Sequence, residues 1–257
     1  MRGLATAITA CLLVATTAAR ADDPPTSAAP KRWCAPELES LPGDVCYHGE
    51  PAHEGRRTLV IFLHGLVEDG TDWQYHQQRG IVRGAARLGY SVLAPRGRVG
   101  ASRKGGDSRV AWPTAMTARQ AYEDAVLAEW QQARELVEQR EGAPFDEVFV
   151  LGFSNGAYYA SSLALRGRLA VDGYAVFAGG TAYAPSAAGA ARAPVFVAIA
   201  GQDKTTFDDA RSLARALEAA GWPHRAETRK VGHAIADAHL DHALDYLRAQ
   251  ARGAGKG

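Results

Sequence analysis

From residue 58 onward, short apolar runs alternate with longer segments in which apolar residues return every three or four positions. Thr58–Leu63 (TLVIFL) is almost unbroken in hydrophobicity, the pattern of a strand buried on both faces. The same reading predicts strands at Tyr90–Ala94, Glu147–Leu151, Tyr174–Ala178, Val195–Ala200 and Arg225–Arg229, with an earlier one around Val45-Cys46-Tyr47. Helical spacing is clearest over Arg119–Arg140, where Tyr122, Val126, Trp130, Ala133 and Val137 share a face. Leu213, Leu217 and Ala220 repeat the spacing in Asp208–Ala220, and Leu240, Leu244 and Leu247 in a last helix. Alternating strands and helices predict an α/β protein with a mostly parallel central sheet flanked by helices on both faces.

Two segments break the rhythm. Gly97–Ala118 reads as a long loop rich in Gly, Ser and Arg, and loops of that length are often functional. Gly179–Pro194 is mostly Ala, Gly and Pro, too short and plain for a helical lid, so no substantial lid domain is expected.

The N-terminus changes the picture of the whole chain. Met1-Arg2-Gly3, an apolar run over Leu4–Ala15 and then Ala19-Arg20-Ala21 have the layout of a secretory signal peptide, residues 1–21. A membrane helix needs about 20 apolar residues, and threonines interrupt this run. A lipid anchor at Cys11 is the alternative, since Ile8-Thr9-Ala10-Cys11 is similar to a lipobox; too little apolar sequence precedes it to favour that. Residues 22–32 read as a disordered, Pro-rich linker, 33–250 as one folded domain and 251–257 as a flexible tail. Cleavage would leave Cys34 and Cys46, an even pair that in an exported chain favours a disulfide over two free thiols. Export to the periplasm or medium is therefore expected.

Composition narrows the function by exclusion. The 257 residues are 47% hydrophobic and 22% charged with a formal net charge of +1, which excludes a disordered or collagen-like chain. Removing residues 1–21 takes away Arg2 and Arg20 and leaves a net charge of −1. Neither value draws the protein to nucleic acid, and no stable membrane insertion is expected.

Chemistry enters at Gly152-Phe153-Ser154-Asn155-Gly156, a G-x-S-x-G pentapeptide between a predicted strand and a predicted helix. That context makes it a nucleophile elbow: a sharp turn lifts the Ser154 hydroxyl above the sheet, and Gly152 and Gly156 leave room where a Cβ would clash. A serine nucleophile needs a base and a group to orient it, following in the order acid, then His. Asp203 follows the strand Val195–Ala200, and His233 follows the strand ending near Arg229, so both stand at strand ends. An oxyanion needs two backbone donors. Asn155 N–H supplies one, and Leu66 N–H, in the Leu63-His64-Gly65-Leu66 turn, the other. His64 sits one residue past a buried strand and reads as structural rather than as a second base.

At these residues the chain resembles the α/β-hydrolase superfamily over roughly residues 45–250. It is similar to the small, lidless phospholipase/carboxylesterase group that includes acyl-protein thioesterases. Leu63-His64-Gly65-Leu66 with Asp69-Gly70 and Asp72-Trp73, Gly152–Gly156, Gly201-Gln202-Asp203 and Gly232-His233-Ala234-Ile235 carry the likeness. The Ser-Asn-Gly core is also similar to secreted polyhydroxybutyrate depolymerases and feruloyl esterases. The resemblance implies hydrolysis of a small-molecule carboxylic ester or thioester, with no metal and no cofactor. In two places the sequence departs from the group: Gln202-Asp203-Lys204-Thr205 lacks a following Val-Pro, and Asn155 replaces a common Gln.

Other residues stay open between roles. Trp112 either lines a substrate pocket or staples the long loop to the core. Arg96, Arg98, Arg103, Lys104 and Arg109 either favour an acidic substrate group or form a solvated face. His233, Asp237, His239, Asp241 and His242 are dense enough for a metal, but no H-E-x-x-H pattern accompanies them, and a solvated helix face is the plainer reading. A short-peptide hydrolase and a catalytically silent binding protein are the alternatives to an esterase. The first would call for a recognition domain, and the second for a lost triad member.

Overall fold

The computed structural model describes residues 32–68, 70–102, 108–181 and 192–254. The predicted signal peptide with Cys11, nearly all of the linker, Asp69, Arg103, Lys104 and most of Gly179–Pro194 lie outside them.

In chain order the elements are β1 (Glu39–Leu41), β2 (Val45–His48), β3 (Thr58–Leu63), β4 (Val67–Glu68), α1 (Trp73–Leu88), β5 (Ser91–Ala94), β6 (Arg98–Val99), β7 (Arg109–Ala111) and α2 (Met116–Glu141). Then follow β8 (Glu147–Phe153), α3 (Asn155–Arg166), β9 (Gly173–Phe177), β10 (Val195–Ala200), α4 (Phe207–Ala219), β11 (His224–Arg229) and α5 (Asp237–Ala254). Eight strands form one sheet in the order β1-β2-β5-β3-β8-β9-β10-β11. β1, β2 and β5 pair antiparallel, and every pair from β5 to β11 is parallel. This is the α/β-hydrolase fold, and the predicted strands Thr58–Leu63 and Val195–Ala200 coincide with β3 and β10.

Alternation along β3 explains the two-sided core. Leu59, Ile61 and Leu63 pack with α2, α3 and α4, whereas Val60 and Phe62 pack with α1 and α5. The sheet order reverses at β3: the chain places β5 on one side of it and β8 on the other. In open α/β sheets such a switch point leaves a crevice at the strands' carboxyl ends, the usual place for a ligand.

The far end of the sheet is closed by Arg248 of α5. Its guanidinium donates to Glu147 Oε1 at 3.2 Å, to Thr58 Oγ1 at 3.0 Å and to the carbonyls of Leu88 and Gly89 at 2.9 Å. The buried Glu147 carboxylate thereby has a cation, which a buried charge requires. Cys34 and Cys46 are joined as a disulfide across a Cα–Cα distance of 5.3 Å, tying the N-terminal segment to β2. Gln78 clamps the same segment, accepting from Ala35 N at 2.8 Å and donating to Trp33 O at 3.1 Å.

Three expectations need correction. Gly97–Ala118 is not simply loop: β6 and β7 pair with each other and with β4 in a small antiparallel sheet, and α2 begins at Met116. Tyr122 is 36% exposed, while its neighbour Glu123 is buried, held by Arg166 through two bonds of 2.6 and 2.8 Å. Finally, α5 continues to Ala254, beyond the boundary at 250, with Arg252 paired to Glu54 at 3.4 Å. No helix among the described residues is long and apolar enough to cross a membrane.

Candidate active site

Ser154 joins β8 to α3 with φ 52° and ψ −116°, a conformation that non-glycine residues adopt only under constraint. Its N–H is anchored to Phe177 O on the neighbouring β9 at 3.0 Å. The turn is tight enough to dictate both flanking glycines. A Cβ on Gly152 would lie 2.3 Å from Gly156 O, and one on Gly156 would lie 2.1 Å from Leu63 O. These contacts are with backbone, which cannot swing aside.

Asp203 and His233 come to Ser154 from two neighbouring strands. His233 Nε2 stands 2.9 Å from Ser154 Oγ, and its Nδ1 stands 2.6 Å from Asp203 Oδ2. With Asp203 ionised, Nδ1–H donates to the carboxylate and Nε2 is left to accept from the serine hydroxyl. The loops carrying Asp203 and His233 are stitched together, Gly201 N to Arg229 O at 2.7 Å and Gln202 N to Val231 O at 2.9 Å. The His233 ring leans on Phe153 with centroids 5.0 Å apart.

Burial alone would raise the Asp203 pKa. Hydrogen bonds from His233, from Thr206 Oγ1 (2.5 Å) and from Thr205 N (2.8 Å) outweigh it and hold the carboxyl at about 2. The carboxylate is thus ionised throughout the range in which a His base operates. Thr205 and Thr206 follow Asp203 in the segment that lacks a Val-Pro, and sequence reasoning did not single out their hydrogen bonds.

Leu66 and Asn155 flank the serine, one after β3 and the other as the first residue of α3. Among the described residues no acceptor takes the N–H of either, and the α3 N-terminus adds its partial positive charge at the same place. The Asn155 side chain is engaged elsewhere, its Oδ1 accepting from Trp112 N at 2.7 Å. Gln77 of α1, also unremarked in the sequence, accepts from Gly65 N at 2.7 Å and so fixes the turn that carries Leu66.

His64 is 3% exposed and structural: Nδ1 donates to Gly65 O at 2.5 Å, and Nε2 accepts from Gly97 N at 3.1 Å. Burial is the main cause that lowers its pKa to about 4, with Arg96 adding to it. Trp112 is fully buried and lines neither of the two cavities described below. It staples the segment after β7, donating from Nε1 to His64 O at 2.8 Å and stacking on Tyr159 at 6.0 Å.

Two cavities are bordered by residues next to Ser154 in the chain or hydrogen-bonded to it. One, of about 230 Å³, lies between α1 and the start of α5 and is bordered by Phe153 and His233. The other, of about 690 Å³, is bordered by Leu66, Asn155, Tyr158, Arg109 and Arg119. Of the basic residues near the long loop, Arg96 pairs with Asp44 at 2.9 Å and Arg98 with Glu129 at 2.5 Å. The His/Asp patch also disperses: His242 pairs with Glu227 at 2.6 Å, and Asp241 with Arg87. Among the described residues no group of three His, Cys, Asp or Glu side chains is arranged to hold a metal ion.

Solved structures share this architecture. A carboxylesterase from Mesorhizobium loti superposes with a TM-score of 0.58 at 23% identity, covering 79% of this chain and 93% of that one. A Bacillus cereus carboxylesterase gives 0.51 at 19% identity, covering 80% and 93%. Arabidopsis thaliana SOBER1 gives 0.51 at 20% identity, covering 76% and 99%. No curated protein matches the sequence. Likeness at this identity concerns the fold, whereas the model of the dienelactone hydrolase family matches residues 46–252, nearly the whole folded region. The chain therefore belongs to the dienelactone hydrolase family.

Proposed function

We propose that this hydrolase cleaves small carboxylic esters, thioesters included, through a covalent acyl-enzyme on Ser154. The observation that carries the reading is the continuous relay from Asp203 to His233 to Ser154, with spacings of 2.6 and 2.9 Å, past the carboxyl ends of β10, β11 and β8. His233 takes the hydroxyl proton as Ser154 attacks the carbonyl carbon, and Asp203 stabilises the imidazolium that forms. The negative oxygen is met by the N–H groups of Leu66 and Asn155. His233 then protonates the leaving oxygen as its bond to carbon breaks. Water, deprotonated by the same imidazole, attacks the acyl-enzyme and returns Ser154 with release of the acid. No cofactor is needed.

Export is part of the proposal. The Cys34–Cys46 disulfide supports it, since such bonds persist in oxidising compartments.

A fluorophosphonate probe tests the assignment directly. Ser154 should be labelled, and Ser154→Ala should abolish labelling and lower p-nitrophenyl acetate turnover by roughly 10⁶-fold, the scale of losing a triad nucleophile. Labelling that survives the substitution would sink the nucleophile assignment. Peptide anilides cleaved as fast as the ester would sink the ester preference.

A further inference from the structure

In the reaction proposed above, the tetrahedral carbon on Ser154 carries three other groups: the oxyanion, the leaving oxygen and the acyl chain. The oxyanion points to Leu66 and Asn155. The leaving oxygen must come within hydrogen-bond reach of His233 Nε2 to receive its proton. Whatever that oxygen carries therefore extends into space that His233 borders.

One of the two cavities meets that condition. The 230 Å³ cavity is bordered by His233 and by Ala234 and Ile235 next in the chain, whereas the larger cavity is not bordered by His233. The two open on opposite faces of the sheet. Phe62, Ile81 and Leu240 in the first belong to the α1–α5 layer. Thr114, Tyr158 and Asp209 in the second come from the segments on the α2–α4 side.

Gly80 supplies an independent observation. It lies inside α1, where glycine is disfavoured relative to alanine. Its φ is not positive, and a Cβ built on it would meet nothing within 4 Å, so neither backbone conformation nor packing demands glycine here. It does border the 230 Å³ cavity. A side chain at this position therefore has open room beside the cavity.

We propose that the cavity between α1 and α5 is the leaving-group subsite, that it takes the apolar alkyl or aryl part of the alcohol, and that Gly80 sets its depth. The assignment rests on the Ser154 reaction. Phe62, Ile81, Phe153, Ile235 and Leu240 give the cavity apolar walls, Trp73, 54% exposed, stands beside His76, and Gln77, Arg83 and Asp237 are the polar part of the lining. Each CH₂ of the alcohol buried there should raise kcat/KM about fourfold until the floor is reached.

The test is a pair of ester series on the purified full chain. Methyl, propyl, butyl and phenyl acetate vary the alcohol; methyl acetate, butyrate and hexanoate vary the acyl group. In wild type, kcat/KM should climb along the alcohol series. In Gly80→Leu, the butyl-to-methyl acetate ratio should fall at least tenfold, with Gly80→Ala between the two. Both substitutions favour the helix, and a thermal melt of each confirms the fold. A fall in the methyl hexanoate-to-methyl acetate ratio instead, or no change in either ratio, overturns the assignment. An enzyme that hydrolyses methyl acetate with an unlabelled Ser154 overturns the reaction reading together with the subsite.

Discussion

His64 makes the fold itself sensitive to mild acid. Its ring is buried, with Nδ1–H given to Gly65 O and Nε2 occupied by the Gly97 N–H, so a second proton has no acceptor. Burial lowers its pKa from 6.5 to about 4 in the folded protein. The folded state thus binds fewer protons than the unfolded state between these values, and stability falls as pH falls through that window. The stabilisation is fully present above about pH 6.5. Over the whole window the loss is about 3 kcal/mol, of which about 2.5 kcal/mol has gone by about pH 4.5. At that pH Asp203, whose depressed pKa operates between 3.8 and about 2, contributes almost nothing to the change. Urea unfolding of wild type and His64→Gln at neutral pH and at about pH 4.5 isolates the effect, since other titrating groups cancel in the difference. The variant should be less stable at neutral pH, having lost a ring that bridges the turn after β3 to Gly97. Its loss on acidification should be smaller than that of wild type by about 2.5 kcal/mol. Equal losses in the two proteins would refute the reasoning.

Gly156→Ala should unfold the protein or lower its stability by more than about 4 kcal/mol in urea melts, because the new Cβ meets the Leu63 carbonyl at 2.1 Å. Gly84→Ala is the control: its Cβ meets the side-chain ends of Leu240 and Tyr90, so a smaller loss is expected. Thr206→Val removes the 2.5 Å bond to Asp203 and should lower kcat roughly tenfold with KM little changed, while Thr206→Ser restores the rate. Equal kcat in the two variants would deny the hydroxyl a positioning role. Replacing Cys34 and Cys46 by Ser should lower stability by about 3 kcal/mol on the chain-entropy scale, seen as a drop in Tm of roughly 6–12 °C.

The residues of the proposed triad could be picked out in the sequence for a stereochemical reason. The elbow needs a serine at positive φ with glycine on both sides, and Gly152 and Gly156 are fixed by contacts within one turn and its neighbouring strand. Asp203 and His233 each stand just past a strand end, where hydrophobic runs give way to Gly and polar residues, so their positions could be read from order alone. The residues that hold the site are set by which elements meet. α1 is not among the helices that periodicity marks out, because its buried face is Gln74, Gln78, Ile81, Gly84 and Ala85, a polar and small set. Gln78 belongs inside only because the chain around Trp33 and Ala35 offers it a donor and an acceptor. Gln77 matters because Gly65 lies opposite it, and Glu123 is buried because Arg166 arrives from α3. The same logic governs Trp112: a tryptophan in a Gly-rich segment suits a pocket wall or a core staple equally well until Asn155 and Tyr159 are seen to receive it. Local stereochemistry was therefore readable wherever a single turn imposed it. Partnership between distant polar side chains was not, since hydrophobic period scores a buried Gln or Glu as surface, and only the assembled topology supplies the groups that let it be inside.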